Sequence, residues 1–316
     1  MTKLAQRNYY GKALAKLAET NPDVVVLDAD LAGSTKTSEF RKVAPERFVE
    51  VGIAEQDMIG VAAGLAASGK TVFASTFAVF ASGRCWEQIR LAMAYPRLNV
   101  KVVSTHCGIS VGPDGASHQA LEDLAIMRAI PNMTVISPAD AYEAYAATLA
   151  IADYNGPVYM RLGRADMPVI FDEDVKFEIG KARLLRSGSD VTLIGTGQMV
   201  SLCLDAAEAL EKEGISADVI DMSTIKPLDI DTIYESVTKT GCVVTAEEHS
   251  VIGGLGSAVS EFLSENFPCP LTRIGTRDTF GESGEPDELF KKYGLTAEDI
   301  IEAAKRSITK KKEREQ

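Results

Sequence analysis

In VKVVSTHCGISVGPDGASHQ, residues 100–119, an apolar run ends abruptly in a loop rich in glycine and chemically active side chains. Val100 to Thr105, with three valines and Lys101 among them, have the β-branched character of a buried strand. His106 to His118 hold three glycines, a proline and Asp114, with no apolar periodicity to mark a further buried element. The whole chain has three histidines, and this loop takes two of them. A buried strand that delivers polar residues at its carboxyl end is the unit of an open α/β sheet, where ligands sit just beyond the strand ends.

The same unit recurs on both sides of this stretch. Upstream, VVVLDAD (24–30), RFVEVGI (47–53) and TVFAST (71–76) read as strands, and MIGVAAGLAA (58–67) and WEQIRLAMAY (86–95) as helices. Downstream come the strand MTVISP (133–138), the helix DAYEAYAATLAIAD (140–153) and the strand VYMRLG (158–163). A charged stretch, DEDVKFEIGKARLLRSGS, interrupts the rhythm and reads as a linker with room for one short strand. The alternation then resumes with DVTLIGTG (190–197), a helix from about 199 to 213, ADVIDMST (217–224) and GCVVTAEE (241–248). A helix after Gly256, the strand LTRIGT (271–276) and two terminal helices complete it, with the KKKEREQ tail expected to be frayed and solvated. The fold class expected is α/β with two domains, each a mainly parallel sheet flanked by helices. The domains are expected at 1–172 and 190–316, with a linker at 173–189.

The 316 residues suffice for two such cores. A net charge of −12 argues against nucleic-acid or anionic-membrane partners, which need a basic surface. Five scattered cysteines, none in CxxC spacing, support neither a zinc site nor a disulfide framework. The opening MTKLAQRNYYGKAL has no apolar signal core, and no later run of 18 residues is uninterruptedly apolar. A soluble, cytoplasmic chain is the expectation.

Five segments follow strands and are rich in polar or special residues: DADLAGST (28–35), GIAEQD (52–57), STFAVF (75–80), the 105–119 loop and RLGR (161–164). Glu55 lies near a helix N-terminus, where negative charge is favoured. By itself it would be an ordinary helix-start charge. In this order, however, the segments resemble the thiamine-diphosphate enzymes of the transketolase family. GIAEQ, STF, the H…GxDGxSHQ loop and PNMTVISPAD are similar to that family's pyrimidine-binding domain. VTAEEHSVIGGLGSAVSE (244–261) and FGESGEPDEL (280–289) are similar to its C-terminal domain. The resemblance covers essentially the whole chain, but only the second half of a full transketolase.

The resemblance implies a role for each matching residue. Glu55 would hydrogen-bond the cofactor's aminopyrimidine ring and favour the tautomer that takes the proton from the reactive carbon. Phe80, and with a weaker claim Phe77, would pack on the ring, although either could be ordinary core. Asp30 falls at a cofactor-proximal aspartate. His118 would contact hydroxyls of the donor ketose and share in catalysis. His106 would line the sugar-phosphate channel, and Asp114 would meet a substrate hydroxyl. Arg164 and Ser34 match phosphate-binding positions, and a guanidinium suits a phosphate dianion. Arg161 reads equally as a strand-end ion pair, and His249 as an interface or core residue. As a metal pair, His106 and His118 are poorly suited, with eleven residues between them and no third ligand nearby.

One family element is missing. Thiamine-diphosphate enzymes anchor the diphosphate through Mg²⁺ held by a GDG…N motif, and this chain has no GDG. PDG at 113–115, with Asn132 downstream, belongs to the sugar loop and is spaced too closely. The resemblance therefore implies the C-terminal subunit of a split transketolase. An N-terminal subunit would carry the GDG…N motif and the Mg²⁺, in an α2β2 assembly acting on sugar phosphates. Two enzymatic alternatives share parts of the pattern. A 1-deoxyxylulose-5-phosphate synthase usually has arginine at the position of His106. A 2-oxo acid dehydrogenase β subunit lacks the DGxSHQ form of the loop. A transketolase-like binding or regulatory module would be expected to lose the acid or the histidines, yet Glu55, His106, Asp114 and His118 are all present.

Overall fold

The computed structural model describes residues 2–314. Its strands in chain order are β1 (Lys3–Ala5), β2 (Val24–Asp28), β3 (Phe48–Glu50), β4 (Thr71–Phe77), β5 (Val100–Thr105), β6 (Thr134–Ile136) and β7 (Val158–Arg161). They continue with β8 (Asp166–Pro168), β9 (Arg183–Arg186), β10 (Val191–Gly195), β11 (Ala217–Asp221), β12 (Thr224–Lys226), β13 (Val243–Ser250) and β14 (Leu271–Thr276). Seven of them form one sheet, in the order β12-β6-β7-β5-β4-β2-β3. Five form a second, β14-β13-β10-β11-β9, and β1 pairs with β8. Both large sheets are parallel except at one edge strand each, β12 and β9. The architecture is the α/β one read from the alternation.

Register lines up the functional loops. Phe77 pairs with Thr105, and Asp28 pairs with both Ser75 and Glu50. The carboxyl ends of β3, β2, β4, β5 and β7 therefore lie in a row, and each opens into one of the five polar segments. Helix Glu55–Ala67 buries Met58, Ile59, Ala62, Ala63 and Ala66, while Gly60 and Gly64 face outward with open space where a side chain would sit. Burying each of the larger side chains contributes roughly 1.5–3 kcal/mol. One core cluster runs through both sheets, from Leu27 and Met58 to Ile220 and Val259.

The structure departs from the sequence reading in four places. The stretch 217–224 is two elements, because the chain turns at Met222 and Ser223 and sends β12 to close the first sheet beside β6. Within 173–189 the one short strand that the reading allowed is β9, at the edge of the second sheet. The tail is not frayed: helix Ala297–Arg314 runs through it, and the Lys311 ammonium donates to the Thr240 carbonyl at 3.0 Å. The last two residues lie outside the described set. The segment 86–95 is α-helical only at Trp86–Gln88, and π-helical turns flank it at Phe80–Arg84 and Ile89–Ala94. Finally, the glycine-rich loop contains a 3-10 segment, Ile109–Asp114, whose Ile109, Ser110, Val111 and Gly112 are buried.

Candidate active site

Glu55 is the first residue of its helix and is buried, with one neighbour of opposite charge. The Arg84 guanidinium donates from Nη1 to Glu55 Oε1 at 2.6 Å. The same guanidinium lies 4.1 Å from the centroid of the Phe80 ring. The π-helical turn Phe80–Arg84 brings these two ends together, and such turns often mark functional sites.

From Phe80 an aromatic array runs inward. Phe80 stacks on Phe77 at 5.7 Å, and Phe77 stacks on the His106 ring at 3.8 Å. His118 meets Phe80 edge-on at 5.4 Å and Phe77 at 6.1 Å. The structure thus brings Glu55, Phe80, Phe77, His106 and His118 into one continuous group, with Arg84 joining the acid to the rings. His106 is buried, with φ at +58°, and its Nδ1 is 2.8 Å from the Thr105 hydroxyl. Burial, helped by the charges of Arg7, Arg164 and His118, lowers its pKa to about 3. The ring is therefore a neutral hydrogen-bonding group at physiological pH.

Next to His106 is a basic corner. Arg164 donates to the Val111 carbonyl at 2.7 Å, which ties it to the glycine-rich loop. Arg7, on helix Gln6–Thr20, donates to the Ser34 carbonyl at 3.1 Å. Burial and the nearby Arg164 lower the Arg7 pKa, against the opposing pull of Asp166, so two guanidiniums share one field. The Arg7 Nε is buried without a partner, a donor that an anion could satisfy. Arg7 was absent from the sequence candidates. Its only signal was position, a lone arginine early in an amphipathic helix, which looks like a solvated charge.

Asp28 shapes the loop that carries Ser34 and Asp30. Its carboxylate accepts from the Leu31 N–H at 2.6 Å, the Thr35 hydroxyl at 2.7 Å and the Thr37 hydroxyl at 2.8 Å. Burial nevertheless raises its pKa to about 6. Asp30 is exposed in a left-handed conformation (φ +61°), and its N–H donates to Glu50. Asp114 is exposed at the end of the 3-10 segment.

The second half of the chain fixes the sugar-loop candidate from behind. Glu248 is buried, and its Oε1 accepts from the Ser110 N–H at 2.6 Å. Its Oε2 accepts from the Gln198 amide at 2.5 Å. Gly108 is at φ +75°, and a Cβ there would come within 2.2 Å of the Glu248 carboxyl carbon. Glycine is required on both counts. Gln119 adds a third tie, donating to the carbonyls of Ile109 and Glu282. Neither Glu248 nor Gln119 had a role in the sequence reading, although both lie inside quoted motifs.

Two residues are structural. Arg161 is buried in a bidentate pair with Asp123, at 2.8 and 3.0 Å, the strand-end ion pair already weighed for it. His249 is fully buried; its Nδ1 donates to the Ser250 carbonyl and its Nε2 accepts from the Ala125 N–H. Burial lowers its pKa to about 4. Among the described residues, no group of three or more His, Cys, Asp or Glu side chains could hold a metal ion. No helix among them is long and apolar enough to cross a membrane.

An acid, a stack of aromatic rings and a pair of guanidiniums are thus aligned at the carboxyl ends of a parallel sheet, the arrangement of an α/β enzyme's ligand-binding edge. Family models agree with that class. Residues 2–169 match the transketolase pyrimidine binding domain and residues 180–300 the transketolase C-terminal domain. The chain belongs to the transketolase family. It is 54% identical over 297 residues to a putative transketolase C-terminal section from Methanocaldococcus jannaschii, covering 93% of each chain. It is 47% identical to the 6-deoxy-6-sulfo-D-fructose transketolase subunit SqwH of Clostridium sp. (strain MSTE9), covering 97% of this chain and 95% of that one. A solved structure described as a split gene transketolase, inactive beta4 tetramer, superposes with a TM-score of 0.92 at 54% identity, over 98% of this chain and 99% of that one.

Proposed function

We propose that this chain is one subunit of a two-chain, thiamine-diphosphate-dependent transketolase that moves a two-carbon ketol unit from a ketose phosphate to an aldose phosphate. The observation that carries the reading is the continuous group Glu55–Phe80–Phe77–His106–His118, with Arg7 and Arg164 at its inner end. The residues fit the cofactor's ring on a geometric ground. A planar, N–H-bearing guanidinium already lies over Phe80 and donates to Glu55, which is the pose an aminopyrimidine would need. When bound, thiamine diphosphate would supply the carbon nucleophile and electron sink that ketol transfer requires.

In this reading Glu55 shares a proton with a ring nitrogen through its carboxyl group, and Phe80 presents its face to the ring with Phe77 stacked behind it. Asp30 lies on a neighbouring loop toward the cofactor. His118 handles the hydroxyls of the donor sugar and takes part in the proton movements there. His106, held neutral by burial, offers a hydrogen bond to an uncharged hydroxyl, and Asp114 meets another. Arg7, Arg164 and Ser34 hold the anionic end of the sugar.

The diphosphate half is assigned to a partner, an N-terminal subunit with the GDG…N motif and Mg²⁺, in an α2β2 assembly. The absence of GDG from the sequence supports this. So do the exposed apolar side chains of Ile53, Leu91 and Tyr95, and the outward glycines of helix Glu55–Ala67, which leave a smooth face. Residues 1–172 and 190–316 are read as the two domains. The proposed setting is cytoplasmic carbohydrate metabolism, in the pentose phosphate pathway, and the scattered cysteines, none in CxxC spacing, support that compartment. Calorimetric titration of thiamine diphosphate and Mg²⁺ tests the division of labour. Binding should be weak to this chain alone and strong once the partner is added. Equally tight, Mg²⁺-dependent binding by the free chain would overturn the two-chain reading.

A further inference from the structure

We propose that Arg84 is an internal stand-in for the cofactor ring, which holds the ring slot formed in the free chain and must leave when the cofactor enters. The proposal rests on the thiamine-diphosphate reading above. Arg84 engages the two groups that the slot offers, the Glu55 carboxylate at 2.6 Å and the Phe80 face at 4.1 Å. A ring cannot use either while the guanidinium is in place, so the two compete for the same atoms. Glu55 has a reason to need such a partner. It is only 6% exposed, and a buried carboxylate without a counter-charge or donor is costly. Arg84 itself is about half exposed at the side chain, so water can receive the guanidinium when it swings away.

The backbone around Arg84 is built for this position. Phe80–Arg84 is a π-helical turn, and the Gln56 side-chain amide donates to the Arg84 carbonyl at 3.0 Å. That bond pins the main chain of Arg84 to the helix that carries Glu55 while leaving the guanidinium free to move. Displacement then works as a population shift. The measured affinity for the ring is reduced by the fraction of molecules in which Arg84 still covers the slot. The Arg84 side of the pair is half exposed, so the effect is modest, about three- to tenfold in Kd.

The test uses the chain reconstituted with its diphosphate-binding partner. Thiamine diphosphate with Mg²⁺ is titrated against wild type, Arg84→Ala and Arg84→Lys, with Kd read by calorimetry. Circular dichroism checks that the variants fold. Arg84→Ala should bind three- to tenfold more tightly than wild type. Arg84→Lys, which keeps the charge but cannot stack as a plane, should fall between them. An unchanged or weaker Kd for Arg84→Ala, with wild type binding normally, overturns the stand-in role while the cofactor reading survives. No binding by wild type or either variant overturns both.

Discussion

Glu55→Gln separates chemistry from folding more sharply than any other substitution here. The carboxylate makes one strong contact, with Arg84 at 2.6 Å, and the Arg84 side chain is about half exposed. Such a pair is screened and contributes at most about 1 kcal/mol. Glutamine keeps the shape and can still accept from Arg84 through its carbonyl, so the loss of stability should stay below about 1 kcal/mol. Its effect on turnover is different. Losing a group that holds and shares a proton in the reaction costs about 10²- to 10⁴-fold, or about 3–5 kcal/mol of barrier. Trp86 is the only tryptophan, and it sits two residues from Arg84, so its fluorescence follows urea unfolding of the free chain without interference. Turnover is measured on the same preparation after the partner is added. Losses of equal size in the two measurements would refute the catalytic role and leave Glu55 a structural ion-pair partner.

Three other outcomes follow from the geometry. Gly108→Ala should destabilise the chain by about 2–4 kcal/mol in urea unfolding, because it combines a positive φ with a clash 2.2 Å from the Glu248 carboxyl carbon. Arg7→Leu should raise KM for phosphorylated ketoses by about tenfold or more with little change for unphosphorylated ones, and an equal effect on both would refute an anion role. His249 should make stability depend on acid. Its folded pKa, about 4, lies below the unfolded value, so the unfolded chain takes up the proton first and this contribution is lost as pH falls from about 6.5. The stability difference between wild type and His249→Gln should therefore shrink by about 1.4 kcal/mol per pH unit over that window. Taking the difference cancels the opposite trend of the distant Asp28, which burial raises to about 6.

The parts of this molecule written in local pattern could be read from sequence. Apolar runs such as VVVLD and VKVVST bury both faces and became strands β2 and β5. The polar segments after them lie along one edge because a parallel sheet leaves them nowhere else. What local pattern does not encode is which sheet a strand joins. Residues 217–224, ADVIDMST, read as one strand, yet a turn at Met222 and Ser223 sends β12 back to β6. Pairing between distant side chains was hidden for the same reason. Arg7 and Arg84 each look like a solvated helix charge until the fold places one beside Ser34 and the other against Glu55. The burial of Ile109 and Val111 was hidden because the glycines around them erase any period, and the surface that covers them comes from the far end of the chain.

The central claim is ketol transfer by a site that two chains share. Its most direct test is a reaction containing this chain, its N-terminal partner, thiamine diphosphate and Mg²⁺. Xylulose 5-phosphate and pyruvate compete as donors, and ribose 5-phosphate is the acceptor. The account predicts seven-carbon ketose phosphate from the sugar donor only when both chains are present. Turnover of pyruvate without turnover of the ketose would contradict it.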